Sequence, residues 1–255
     1  MGVWSHGVVT WVWIVCIGAG VGFLGGLFGK GGSAIATPLL AAIGLPPIVA
    51  VAAPLPATIP GTLAAARPYA KAGHIDRQIL GWSLAVAIVA TIAGAIATDW
   101  ISGEVLVKVT DAIIALLGIR FLVRPTTEAN EEGAVVAHQH LKTVLVAAVV
   151  GLAAGLLANS GGFLLAPLYL AVLRMPVKSA FGTSLVVSCV LAIPGTVVHA
   201  ALGHIDWAVV GAFGVASVPL SAIGARVALR TQPARLERVY GLVLALIGVV
   251  FLIWG

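Results

Sequence analysis

From Val8 to Phe28 the chain carries no charged residue, and stretches of the same kind recur along its whole length. About 20 apolar residues suffice for a helix to cross roughly 30 Å of hydrocarbon. Such segments, broken by Gly, Pro and a few charges, fall at about 8–28, 33–44, 47–69, 78–98 and 104–123, then 142–158, 162–173, 177–200, 207–229 and 236–254. The second and seventh are too short to span upright. The chain cannot make a soluble surface either: 9% of its residues are charged, where such a surface needs roughly a quarter. The sequence therefore predicts an all-α polytopic membrane protein. Its formal net charge of +5 arises from 14 Lys+Arg spread thinly against 9 Asp+Glu. No basic run offers a phosphate footprint, so no nucleic-acid partner is expected.

Pro125 to His140 is the one clearly polar stretch, and it divides the chain near its middle. Gly73-His74-Ile75-Asp76 recurs as Gly203-His204-Ile205-Asp206, an offset of 130, which also pairs Gly31-Gly32 with Gly161-Gly162 and Pro46 with Pro176. We read an internal duplication: a first membrane repeat over 1–124, a linker over 125–141 and a second repeat over 142–255.

Charge placement relates the halves. Arg67, Lys71 and Arg77 follow the third segment, whereas the matching loop, His199 to Asp206, has no Lys or Arg. Arg226, Arg230, Arg235 and Arg238 mark the next connection instead. Positive residues mark the cytoplasmic side, so equivalent loops lie on opposite faces. Five segments per half invert the second copy. The expectation is a multi-pass protein of the inner or plasma membrane, with a cytoplasmic linker and both termini outside. Met1 to Thr10 has no basic n-region, and the run from Val8 is read as a retained membrane segment. Inverted repeats are a signature of secondary transporters.

The chemistry is expected at two glycine-rich breaks, each joining a long helix to a short one: Gly25 to Ser33, and Gly155 to Gly162. If short helices begin there, their first N–H groups lack helical partners and, with the positive dipole end, suit an anion. Lys30, Gly31, Gly32 and Ser33 in the first break, with Asn159, Ser160, Gly161 and Gly162 in the second, are the candidate binding residues. The bland alternative is that the glycines only allow tight helix packing.

The Gly-Gly-Ser-Ala-Ile-Ala-Thr-Pro38 and Gly-Gly-Phe-Leu-Leu-Ala-Pro167 strings resemble the TauE/SafE family of membrane permeases. So do Ser179-Ala180-Phe181-Gly182-Thr183-Ser184-Leu185, Gly203 to Trp207 and Gly224-Ala225-Arg226, and the resemblance covers nearly the whole chain. It implies secondary transport of sulfite and organosulfonates such as sulfoacetate. Two departures stand out. Lys30 replaces a residue more often small or apolar, and Ala53-Pro54 in the first half matches Thr183-Ser184 in the second.

Thr183 and Ser184, with Ser188 one turn beyond Ser184, are candidate sulfonate donors, and Thr58 is their first-half counterpart with Thr62. Such hydroxyls can equally bond the preceding carbonyls. Pro54, Pro56 and Pro60 must disturb their helix. Asp111 is taken as the one carboxylate well inside a segment and is the candidate proton carrier, although Lys108 can neutralise it. Asp76 and Asp206 are expected to cap the helices that follow them. His138 and His140 could ligate a metal but are read as solvated, and Cys16 and Cys189 as small core residues.

No HExxH or GxSxG motif suggests an enzyme. No cofactor or metal is expected. The expected partners are a small anion, the bilayer and protons, and a homo-oligomer is compatible with the sequence. An anion channel is the alternative reading.

Overall fold

The structure is a computed structural model that describes residues 7–29, 33–97, 112, 115–123, 139–156 and 161–254. Every regular element among these residues is a helix. In chain order they are α1 (Val8–Phe28), α2 (Ser33–Ala42), α3 (Pro47–Ala52), α4 (Pro54–Lys71), α5 (Arg77–Ile96), α6 (Gln139–Leu156), α7 (Gly162–Ala171), α8 (Val177–Ala201), α9 (Trp207–Arg230) and α10 (Pro233–Trp254). Residues 115–123 are also helical. Among the described residues six spans are long and apolar enough to cross a membrane: α1, α3 with α4, the Arg77–Gly94 part of α5, α6, α8 and α9. The chain is an all-α polytopic membrane protein. At 10 residues each, α2 and α7 reach about 15 Å, half of the hydrocarbon.

The 130-residue offset persists in the helix boundaries. α3 starts at Pro47 and α8 at Val177, and α5 starts at Arg77 and α9 at Trp207. Between these paired starts the halves differ. α8 runs unbroken through Thr183-Ser184, whereas its counterpart divides at Ala53 into α3 and α4. Pro54 has no N–H to return to the carbonyl four residues back, so the helix restarts with Pro54 in its first turn. α6 begins at Gln139, so the last three positions of the expected linker, 139–141, are helical.

Both interfacial turns are capped as their sequence predicts. Asp76 Oδ1 accepts from Gln78 N at 3.0 Å and Ile79 N at 2.9 Å. Asp206 Oδ1 accepts from Ala208 N at 2.9 Å and Val209 N at 3.2 Å. One sequence expectation is corrected: Cys189 is buried, but Cys16 lies on the exposed face of α1. Cys16 needs no core position because a membrane helix can turn a small apolar side chain outward.

The halves are interleaved. α1 lies along α9, α5 lies along α6, and α4 packs on both α8 and α9. Small residues set the α1–α9 contact. A Cβ on Gly18, Gly22 or Gly26 would strike the backbone of Phe213, Ser217 or Ser221, respectively. Successive turns therefore meet successive turns, and α1 and α9 run parallel. Without a hydrophobic drive between helices in lipid, this backbone approach supplies the dispersion contact that holds them. α4 and α8 run antiparallel: Gly182 abuts Tyr69, Cys189 faces Ile59, and Gly195 contacts Leu55. The larger buried cluster gathers Phe28, Tyr69, Phe163, Tyr169, Phe181 and Tyr240 from five helices.

Candidate functional site

α1 stops because Gly29 turns left-handed at φ 67°, its N–H returning to Gly25 O. Only glycine fits: a Cβ here would be strained at that φ and would strike the backbone of Phe181. This first break is thus clamped by α8 of the other half. Ser184 Oγ donates to Gly29 O at 2.7 Å and lies 3.0 Å from Phe181 O. The rings of Phe28 and Phe181 both pack on Tyr240 of α10, at centroid distances of 5.2 and 5.0 Å. Tyr240 is fully buried, and its hydroxyl has no hydrogen-bond partner among the described residues. A buried phenol without a partner costs free energy, and this one packs its ring on Phe28, the last residue before the break. One turn earlier on α10, Glu237 is also fully buried and is not partnerless.

At the second break Gly161 is the N-cap of α7, again left-handed, at φ 64°. Its carbonyl accepts from Leu164 N at 3.1 Å and Leu165 N at 3.2 Å. A Cβ at Gly161 would press Val150 and Ala154 of α6 at 3.0 and 3.2 Å. Gly162 opens α7 and is buried. Tyr169 donates from α7 to Ser83 of α5 at 2.6 Å, tying the short helix to the opposite half.

The other predicted binding residues fall as follows. Ser33 opens α2. Lys30, Gly31, Gly32, Asn159, Ser160 and the proton-carrier candidate Asp111, with Lys108 and His138, lie outside the described residues. Thr183 and Ser184 are neighbours with different partners. Ser184 faces the first break, whereas Thr183 Oγ1 accepts from Asp76 N at 3.0 Å in the α4–α5 turn. Ser188, one turn beyond Ser184, is fully buried with no partner for its hydroxyl. His140 leans its ring on Trp82 at 5.7 Å. Among the described residues no three His, Cys, Asp or Glu gather as a metal would require.

Thr58 lines a small cleft between α1, α4, α8 and α9, with Thr62, Ser217 and Ser221. Its volume is about 20 Å³. A second cleft, of about 340 Å³, lies between α5, α6 and α8. Four lining positions of the two clefts correspond: Gly25, Gly61, Ala65 and Ser221 in the first, Gly155, Leu191, Gly195 and Thr91 in the second. The positions match at the 130-residue offset. Tyr69 stands by the tight copy, its hydroxyl 3.3 Å from Gly26 O and 3.4 Å from Leu27 O. Its counterpart, His199, lines the wide copy and turns Nδ1 to His204 Nδ1 at 3.3 Å. The first is only large enough for a water-sized guest, while the second falls in the range of small-ligand sites.

Sequence reasoning missed Tyr69, Ser217, Ser221, Glu237 and Tyr240. Asp111 is not the sole carboxylate of interest: Glu237, four residues into α10, is fully buried. At the second position of the predicted 236–254 segment, Glu237 gives no sign of its burial in sequence alone. Outside the membrane-spanning segments, His74 in the α4–α5 turn is held below its ordinary pKa of 6.5, first by burial and then by the Lys178 ammonium. That ammonium donates to Leu229 O at 2.7 Å, near the end of α9.

The family model described as sulfite exporter TauE/SafE matches residues 14–251. The chain is 31% identical over 253 residues to a probable membrane transporter protein of Xylella fastidiosa (strain 9a5c), covering 94% of this chain and 95% of that one. A second probable membrane transporter protein, from the Temecula1 strain of that species, is 30% identical with the same coverage. No solved structure matches.

Proposed function

The chain belongs to the sulfite exporter TauE/SafE family, a family of transport proteins rather than enzymes, and on that premise we propose that it is a secondary transporter of small sulfur-containing oxyanions. Sulfite, sulfoacetate and related organosulfonates are the substrate class. The anion is held where the two glycine breaks present helix starts, with Lys30 as the full positive charge and Asn159 and Ser160 as added donors. The observation that carries this reading is the first break itself. A left-handed turn that only glycine takes without strain, the clamping Ser184 and the Tyr240 ring against Phe28 come together there inside an apolar core, and the Tyr240 hydroxyl is unpartnered among the described residues. A pyramidal or tetrahedral oxyanion needs several donors at low dielectric. Tyr240 O–H is the one still uncommitted here, since Gly29 N–H and Ser184 O–H go to Gly25 O and Gly29 O. In this reading the helix starts, Lys30, Asn159 and Ser160 supply the rest.

Helix directions support an inverted repeat within this reading. The loop charges require α1 and α9 to enter from the same face and α4 to oppose α8, and the contacts run in those senses. Two copies of one cleft, one tight and one wide, suit a protein that opens to each side in turn. In this reading the membrane is the cell membrane, the linker is cytoplasmic, both termini lie outside, and coupling is to protons through Asp111.

Counterflow in proteoliposomes tests it. Sulfite and sulfoacetate should exchange against preloaded sulfite, and sulfate should compete poorly. Exchange indifferent to which anion is preloaded would end the substrate assignment. Flux that follows the anion gradient but ignores an imposed pH gradient would favour the channel reading.

A further inference from the structure

We propose that the small cleft at Ser217 is a binding site for a dehydrated monovalent cation of about sodium's size. Its hydroxyl protons are already committed. Thr58 donates to Pro54 O at 2.9 Å, Thr62 to Thr58 O at 2.7 Å and Ser221 to Ser217 O at 2.6 Å. Hydroxyls bonded this way turn lone pairs, not hydrogens, toward the space they line. Ser217 also lines the cleft and is only 4% exposed, and its Oγ has no hydrogen-bond partner among the described residues. The result is a small cleft lined by four hydroxyl-bearing residues, one of them an orphan.

Size and charge narrow the guest. A volume of about 20 Å³ admits one water-sized particle, so an oxyanion with its several heavy atoms does not fit. Three of the four lining hydroxyls have spent their hydrogens on carbonyls, which leaves an anion the single O–H of Ser217. Among the described residues no Lys, Arg, Asp or Glu lines the cleft, so none of them repels a cation there or takes up a proton. Hard cations prefer oxygen ligands, and broken membrane helices supply such sites from hydroxyls, carbonyls and helix C-terminal ends. The last turns of α1, at Gly25 and Gly26, line this cleft and bring the negative end of that helix to it.

This inference does not depend on the identity of the transported anion, and its test uses none. The purified full chain is melted in NaCl, KCl or choline chloride at equal ionic strength. The expected result is a saturable rise in Tm with NaCl that choline does not give. Ser217→Ala should be at least as stable as the parent in choline, because it removes an orphaned hydroxyl. The same variant should raise the half-saturating Na⁺ concentration about tenfold, the scale of losing one supporting group at an ion site. Thr62→Val should act in the same direction. Equal melting of the parent in all three salts would make the cleft a water site and overturn the proposal. So would a parent-like Na⁺ response in both variants. Counterflow of sulfite judges the anion reading separately, so either can fail alone.

Discussion

Thr183 of α8 accepts a hydrogen bond from the backbone N–H of Asp76 at 3.0 Å, so a side chain of the second half fixes the start of a helix in the first. Beside it, a Cβ on Gly182 would strike His74 O, so no larger residue lets the turn approach. The matching position in the first half is Ala53, which has no hydroxyl to offer the Asp206 turn. The duplication is thus tied on one side only. Thr183→Val keeps the volume but strips the acceptor, and leaving a partly buried N–H unpaired costs about 1–3 kcal/mol. Denaturation should show that loss, and Thr183→Ser should restore it. If Thr183 acts on substrate instead, stability will stay put while affinity falls.

Two groups beside the first break should govern affinity rather than folding. Lys30→Met removes the full charge, and Tyr240→Phe removes one hydroxyl. A hydrogen bond to a charged group contributes about 1.5–3 kcal/mol, so each change should weaken sulfite binding by about one to two orders of magnitude. Tyr240→Phe should meanwhile leave Tm unchanged or raised, since its phenol has no partner among the described residues. Titration calorimetry on the two variants decides this. Constants within a factor of about two of the parent would leave only backbone donors and Asn159 and Ser160.

The α4–α5 turn should be sensitive to acid. His74 titrates below 6.5 in the fold because burial and then the Lys178 charge disfavour its cationic form. Its contribution to stability is therefore complete above its ordinary value and is lost as pH falls through it, since the unfolded chain takes up the proton first. Asp76, two residues on, is held as the cap of α5. Melting curves should show a drop on going from about pH 7 to about pH 5 that His74→Gln flattens. An unchanged pH slope in that variant would assign the acid sensitivity elsewhere.

Orientation is tested by cysteine labelling on a background lacking Cys16 and Cys189. A cysteine in the 125–138 stretch should react only from the cytoplasm, and one at Gly203 only from outside. Reaction of both from one face would end the inverted-repeat reading.

Much of the architecture follows from short stretches of sequence, because the forces involved act locally. Hydropathy places the spans to within a few residues, Asp76 and Asp206 announce their helix starts, and Gly29 and Gly161 mark the two breaks. Pro54 likewise accounts for the division between α3 and α4. Each is a matter of one backbone group and its neighbours within a turn or so. The 130-residue offset adds the pairing of the halves without any contact being known.

The partners of the hydroxyls came only from the tertiary structure. Thr183 and Ser184 are adjacent in sequence, yet one holds the α4–α5 turn and the other clamps Gly29. Ser217 reads as one more small residue in an apolar helix until Gly22 of α1 presses against it and α4 closes the other side. Tyr240 and Glu237 look like ordinary residues near the start of a span, and burial between helices distant in sequence makes them distinctive. In a membrane helix every face can be apolar, so periodicity does not say which face meets lipid and which meets protein. That choice is made by close packing between helices, and with it the protein's acceptors, donors and clefts are decided.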